Sequence, residues 1–290
     1  MTPQHIKARF LDGGRGRVFA LLRRPAEPGG TGVLIAPPFA EEMNKTRKMF
    51  TAVGQALAAR GVATILVDPY GTGDSEGEFR EASWECWVDD LARAAEWAAR
   101  EGFPVRGLLC VRLGCLLGAQ LAQKLLPEVQ CSVFWQPVIA GDRFLTQFLR
   151  LRVAASMMEA TRESVSGLRE KLRAGQRIEV AGYELAPTLA GELEKLRLTD
   201  ALGPHLGALH WMEVVRDHQV PLPAVTVDCV SGGRSRGLEI KVSTVTGASF
   251  WESTEIVMNE ELVRSAVEVL AAAGGRTASS VRAPHAEPRP

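Results

Sequence analysis

Short apolar runs alternate with amphipathic stretches through the first half of the chain. Val18–Arg23 reads as a strand. Gly32–Ala36 (GVLIA), Ala63–Val67 (ATILV), Gly107–Val111 (GLLCV) and Cys131–Trp135 (CSVFW) are continuous apolar runs, as expected of strands buried on both faces. Between them the spacing turns helical. Asn44–Arg60 sets Met49, Val53, Leu57 and Ala58 near one face and stops at Gly61. Ser83–Glu101 sets Trp84, Trp87, Leu91 and Ala94 along one stripe, with Ser83 as the N-cap. GLLCV leads directly into a helix over Gly114–Leu125. This alternation predicts a mostly parallel α/β sheet with helices on both faces. From about Ile139 to His205 the patterns are helical and no strand is evident, which describes either a lid inserted over a ligand site or a larger helical layer. The sheet pattern resumes at Ala208–Val215 and Leu238–Val245, and a last helix covers Asn259–Ala273. The chain thus divides into an N-terminal half of the core (1–138), an insertion (139–205) and the rest of the core (206–273). The Gly-, Ser-, Pro- and Arg-rich segment 274–290 is expected to be a disordered tail.

Composition narrows the class. With 290 residues, 46% of them hydrophobic, the chain can bury a sizeable core without metals or disulfides. Lys plus Arg and Asp plus Glu each number 34, a balance that argues against binding nucleic acid or an anionic membrane as the main activity. The five cysteines contain no C-x-x-C pair, which speaks against a thiolate zinc cluster or a redox centre and for free thiols in a reducing compartment. Met1–Phe10 lacks an apolar signal-peptide core, and no apolar run approaches the ~20 residues of a membrane helix, so a cytoplasmic protein without membrane insertion is expected.

Chemistry-bearing motifs cluster after the apolar runs. Asp68–Gly77 (DPYGTGDSEG) resembles the D-x-x-G-x-G-x-S-x-G turn of α/β-hydrolases. It does not open onto a helix and no G-K-[ST] follows, which weighs against a phosphate loop. In that fold the next strand should lead into a nucleophile elbow, G-x-S-x-G. The chain offers Cys110-Val111-Arg112-Leu113-Gly114: small flanking residues and a following helix, but Arg112 where the serine belongs. Cys115 is a poor substitute, because its neighbours two residues away are Leu113 and Leu117, too bulky for a tight elbow. The loop after the last strand, Gly247–Glu252, has no histidine, and the only later one is His285 in the tail. Asp217 stands at the position of the triad acid with nothing to orient. The loop after GVLIA begins with Pro37 and Pro38, which have no N–H, so Phe39 or Ala40, with Leu113 beyond the elbow, are the oxyanion-hole candidates. His205, His210 and His218 show no metal-ligand spacing, and no cofactor is called for.

Several phrases in a fixed order carry a wider resemblance: APPFAEEMNKTR (36–47), DPYGTGDSEGEF (68–79), VRLGCLLGA (111–119), FWQPVIAGDRFLTQFLRLRVAA (134–155), EVAGYELAPTLAGEL (179–193), LHWMEV (209–214) and GASFWESTEI (247–256). From about Phe10 to Ala273 the chain resembles the exosortase A system-associated hydrolase 2 family. The resemblance implies an α/β-hydrolase fold with a helical lid and an ester- or acyl-type small-molecule substrate. It also implies an exopolysaccharide locus with an exosortase that sorts PEP-CTERM proteins, from which a protein partner could come. The family name rests on fold, and fold does not establish chemistry.

An arginine at an elbow points a permanent charge into the pocket, where it needs a partner. Glu41, Glu42, Glu252 and Glu255 are the candidates. In one reading Arg112 makes a two-pronged contact to an anionic group of a ligand, and Glu41 or Glu42 acts as general base on water. In the other, Arg112 is an internal strut and the protein is a catalytically inactive binding or scaffold protein. Trp251 either lines the pocket or belongs to the core.

Overall fold

The computed structural model describes residues 5–27, 30–124, 128–157, 162–253 and 255–275. An eight-stranded sheet has the order β1-β2-β4-β3-β5-β6-β9-β10. Strands β1 (His5–Asp12) and β2 (Arg17–Arg24) form an antiparallel hairpin, and β2 also runs antiparallel to β4 (Val62–Val67). From β4 onward every neighbour is parallel: β3 (Thr31–Ala36), β5 (Val105–Val111), β6 (Cys131–Trp135), β9 (Ala208–Val215) and β10 (Ile240–Thr246). Strand β1 has no counterpart among the sequence expectations. Seven of its eight residues are exposed or only partly buried, so it lacks the apolar pattern that marks the inner strands.

The inner strands are apolar throughout because each face has its own helical cover. Successive residues point to opposite faces. Val33 and Ile35 therefore meet α1 (Glu41–Ala58) and α9 (Glu260–Gly275) through Met49, Val53, Leu262 and Leu270. Leu34 joins the opposite layer, built on α2 (Trp84–Arg100) and α3 (Gly114–Lys124) through Leu91, Leu116 and Leu121. Helix α1 begins at Glu41, three residues before the expected start at Asn44; Glu41 and Glu42 occupy its first turn, where carboxylates favour the helix dipole. Helix α9 runs to Gly275, two residues past its expected end, and 276–290 with His285 lie outside the described residues.

Between β6 and β9 lie α4 (Gly141–Ser156), α5 (Val165–Arg173), α6 (Pro187–Lys195) and α7 (Leu198–Ala201). This segment is not purely helical, contrary to the sequence expectation. It holds a hairpin of β7 (Ile178–Val180) and β8 (Tyr183–Leu185), turned by Ala181 and Gly182, both with positive φ. Three-residue arms are too short to show a period-two pattern. The Tyr183 ring sits 5.0 Å from that of Phe79, tying the hairpin to the core. Helix α8 (Ala224–Ser235), with two glycines and weak apolar periodicity, likewise has no counterpart among the expectations. Among the described residues no helix is long and apolar enough to cross a membrane.

Helix α3 packs its start directly on β3. A Cβ on Gly114 would stand 2.3 Å from the Ala36 carbonyl oxygen and 2.5 Å from that of Pro37. Both obstacles are backbone, so neither can rotate away. Gly114→Ala is therefore expected to lower stability by ~1–3 kcal/mol, read as a reduced urea midpoint with an unchanged m-value. An unchanged midpoint would contradict this packing.

Candidate functional site

The sharp turn from β5 into α3 puts Arg112 at φ 55°, a left-handed conformation that a non-glycine residue adopts only under constraint. Three hydrogen bonds hold it there. The Arg112 N–H donates to the Trp135 carbonyl at 2.9 Å, and its carbonyl accepts from the Cys115 and Val138 N–H groups at 3.1 and 3.2 Å. The backbone is that of a nucleophile elbow, and the side chain it presents is a guanidinium.

That guanidinium is buried and paired with Glu42. Nε donates to Oε1 and Oε2 of Glu42 at 3.3 and 3.4 Å, and Nη2 donates to Oε1 at 3.2 Å. Nη1 reaches only the Gln136 carbonyl, at 3.5 Å, the long limit of a hydrogen bond. The guanidinium carbon lies 4.7 Å from the centroid of the Trp251 ring, a cation–π contact. Trp251 is fixed in turn by Lys45, whose Nζ donates to its carbonyl at 2.8 Å. Glu42 is almost fully buried, and desolvation pushes its carboxyl up to about 7 against the opposing pull of Arg112. Burial raises Glu41 as well, and its Oε2 is buried with no hydrogen-bond partner among the described residues.

Two clefts flank Arg112. One, of about 310 Å³, is lined by Glu41, Glu42, Lys45, Arg150, Trp251 and Glu252 together with Phe144, Phe148 and Leu151 of α4. The other, of about 220 Å³, is lined by Gln136, Val138, Ile139, Arg143, Glu213, Val225 and Thr226, among others. Gln147, Phe144 and Arg112 border both.

The sequence-predicted residues therefore separate. Arg112, Glu42, Glu41 and Trp251 come together. Phe39, Ala40 and Leu113 lie behind them, around a void of only about 10 Å³, room for one water-sized group at most. Ala40 shares the strained backbone (φ 50°, ψ −125°). The Phe39 ring is a packing hub, with centroids 5.1–5.7 Å from those of Phe79, Trp87, Phe144 and Phe148; it ties the β3–α1 loop to α4. Asp217 and Glu255 are exposed and line neither cleft: Asp217 accepts from the Gln219 N–H, and neighbouring His218 bonds Thr244 Oγ1 at 2.8 Å. Cys115 is fully buried, and desolvation holds it as a thiol well above neutral pH, which removes it as a nucleophile. Among the described residues no group of three or more His, Cys, Asp or Glu could hold a metal ion.

The nearby Asp68 turn is structural. Asp68 accepts from the Asp74 N–H at 3.0 Å and pairs with Arg47 at 3.0 Å, and a Cβ on Gly73 would fall 2.0 Å from its carboxylate. Asp74 contributes its N–H to that turn. Sequence reasoning missed Arg143, Gln147 and Arg150. Their 0, 4, 7 spacing puts them on one face of α4, and that polar stripe beside buried Phe144, Leu145, Phe148 and Leu149 was the available signal.

No protein-family model matches the chain, and neither does any curated protein. Solved structures do. Est1E from Butyrivibrio proteoclasticus with ferulic acid bound is 16% identical, covers 93% of this chain and 100% of its own, and superposes with a TM-score of 0.70. An esterase domain of a Rhodothermus marinus protein is 16% identical over 94% and 98% of the two chains, with a TM-score of 0.58. A proline iminopeptidase-related protein from Thermus thermophilus is 17% identical over 93% and 99%, with a TM-score of 0.60. At such identities the likeness concerns architecture, and the architecture is the α/β-hydrolase fold.

Glu42 gives the site a pH signature. Its carboxyl binds a proton more tightly in the folded than in the unfolded chain, so this contribution to stability is complete below the ordinary value of 4.5 and is lost as pH rises through about 7. Chemical denaturation at about pH 5 and about pH 8 should show a fall on the order of a few kcal/mol from this group, and a smaller fall in Glu42→Gln. Equal falls in both proteins would contradict the assignment.

Proposed function

We propose that this α/β-hydrolase-fold chain binds an acyl-type ligand over its elbow and does not carry out Ser-His-Asp hydrolysis. The single observation behind this reading is the Arg112–Glu42–Trp251 arrangement. Arg112 has the nucleophile's backbone, and Trp251, from the loop that supplies the triad histidine in this fold, packs against it. A guanidinium offers no attacking atom, and an indole offers no base. The motif resemblance supports placing the protein in an exosortase A-linked exopolysaccharide system, with a protein partner from that system, and its free cysteines support a reducing compartment such as the cytoplasm.

A second reading has its own support. Glu42 lines the larger cleft with a carboxyl poised near neutrality, as a general base on water would need to be. In that reading the protein is a hydrolase of ester or acyl substrates with an unconventional site.

A panel of short- and long-chain acyl esters and thioesters separates the two. The binding reading expects no turnover above the buffer rate. Turnover lost in both Arg112→Ala and Glu42→Ala, with both variants folded, would establish the unconventional hydrolase instead.

A further inference from the structure

The side-on pairing with Glu42 occupies Nε and Nη2 of Arg112 and leaves its Nη1 end nearly unused, against the Gln136 carbonyl at 3.5 Å. That end borders the 220 Å³ cleft between the β6–α4 connection, α4 and the start of α8. A second guanidinium stands in the same cleft: Arg143 is exposed and makes no ion pair among the described residues. The lining acid, Glu213, is buried at the base of the cleft, where its Oε1 accepts from Trp211 Nε1 at 2.9 Å and Thr226 Oγ1 at 3.0 Å. Glu42 already balances Arg112, so the uncommitted cation of this cleft is Arg143, beside the unused Nη1 end of Arg112. Gln136, Gln147 and Thr226 add polar groups, and Pro137, Val138, Ile139, Pro223 and Val225 form the apolar part of the wall. Val225 is itself an exposed large apolar residue, so the apolar part of the wall reaches the surface.

We infer that this cleft binds an amphiphilic organic acid. Its carboxylate or phosphate-monoester head is held between Arg112 Nη1 and Arg143, and its apolar chain lies along Val138, Ile139, Pro223 and Val225. A planar fork with a free end suits a two-oxygen anion. The apolar wall gives the chain somewhere to be buried, which a free inorganic anion cannot use. This inference deepens the binding reading above by naming the ligand class, and it rests on Arg112 facing a ligand.

Isothermal titration calorimetry on the full chain tests it with four probes below their micelle concentrations: decanoate, decyl phosphate, decanol and inorganic phosphate. At least one of the two amphiphilic acids should bind, and decanol and inorganic phosphate should each bind at least about tenfold more weakly. Arg143→Gln should weaken the acid by about tenfold or more while leaving the unfolding midpoint unchanged, because Arg143 is exposed and makes no ion pair among the described residues. Val225→Glu, which places a carboxylate on the wall, should weaken it as well. Decanol binding as well as the acids would show an apolar site only, and inorganic phosphate binding as well would show an anion site only. Either result, no saturable binding by any probe, or unaltered affinity in Arg143→Gln overturns the inference. The readout does not depend on turnover. Ester hydrolysis without acid binding would sink this inference and the binding reading together while supporting the hydrolase; acid-independent binding of a neutral ester would sink the inference alone.

Discussion

A buried charge that cannot be neutralised organises this end of the molecule. The elbow forces its central side chain into the pit at the carboxyl ends of the strands, and in this chain that side chain is the guanidinium of Arg112. Desolvating it without hydrogen-bonding partners would be costly. Helix α1 begins early enough to deliver Glu42 from its first turn, and the last loop lays Trp251 over the cation, anchored by Lys45. Such a pair adds little net stability once its own desolvation is counted, yet losing one partner strands the other. The three elements that supply nucleophile, oxyanion hole and histidine in a serine hydrolase here converge on one ion pair.

That convergence shows how the α/β-hydrolase architecture accommodates an arginine at the elbow. The backbone features survive: the left-handed residue at 112, the glycine at 114 pressed against β3, and the strained Ala40 in the β3–α1 loop. The side chain at the elbow is a guanidinium, with Trp251 of the loop after the last strand packed against it. The two clefts beside it are concave, partly apolar and bordered by arginines. The insertion between β6 and β9 shapes both clefts. Helix α4 packs on Phe39 through Phe144 and Phe148, and the adjoining face brings Arg143, Gln147 and Arg150 to the two clefts.

The sheet was readable because its inner strands are covered on both faces: GVLIA, ATILV, GLLCV and CSVFW each fall within an observed strand. Strand β1 escaped because an exposed edge need not alternate, the β7–β8 hairpin because its arms are three residues long, and α8 because glycines dilute its period. The elbow was legible for a different reason. Its backbone requires small residues at fixed spacing whatever stands at the centre, so Arg112 could be placed from sequence. Its partner could not. Four glutamates were equally eligible, and only the phase of α1, set three residues earlier than periodicity suggested, distinguishes Glu42 from Glu41. Arg143 and Arg150 left only a polar stripe on α4, which looks like any solvated helix face until the opposite wall of the cleft is known.

In this chain a glutamate-paired arginine stands where a serine hydrolase presents its reactive serine. Labelling the native protein with a fluorophosphonate, which forms a covalent adduct only with an activated hydroxyl, is the sharpest test of that substitution. Intact-mass measurement should show no adduct after prolonged incubation. A stoichiometric adduct on any serine would reveal a working nucleophile elsewhere in the chain, and the binding-site reading of this fold would then be wrong.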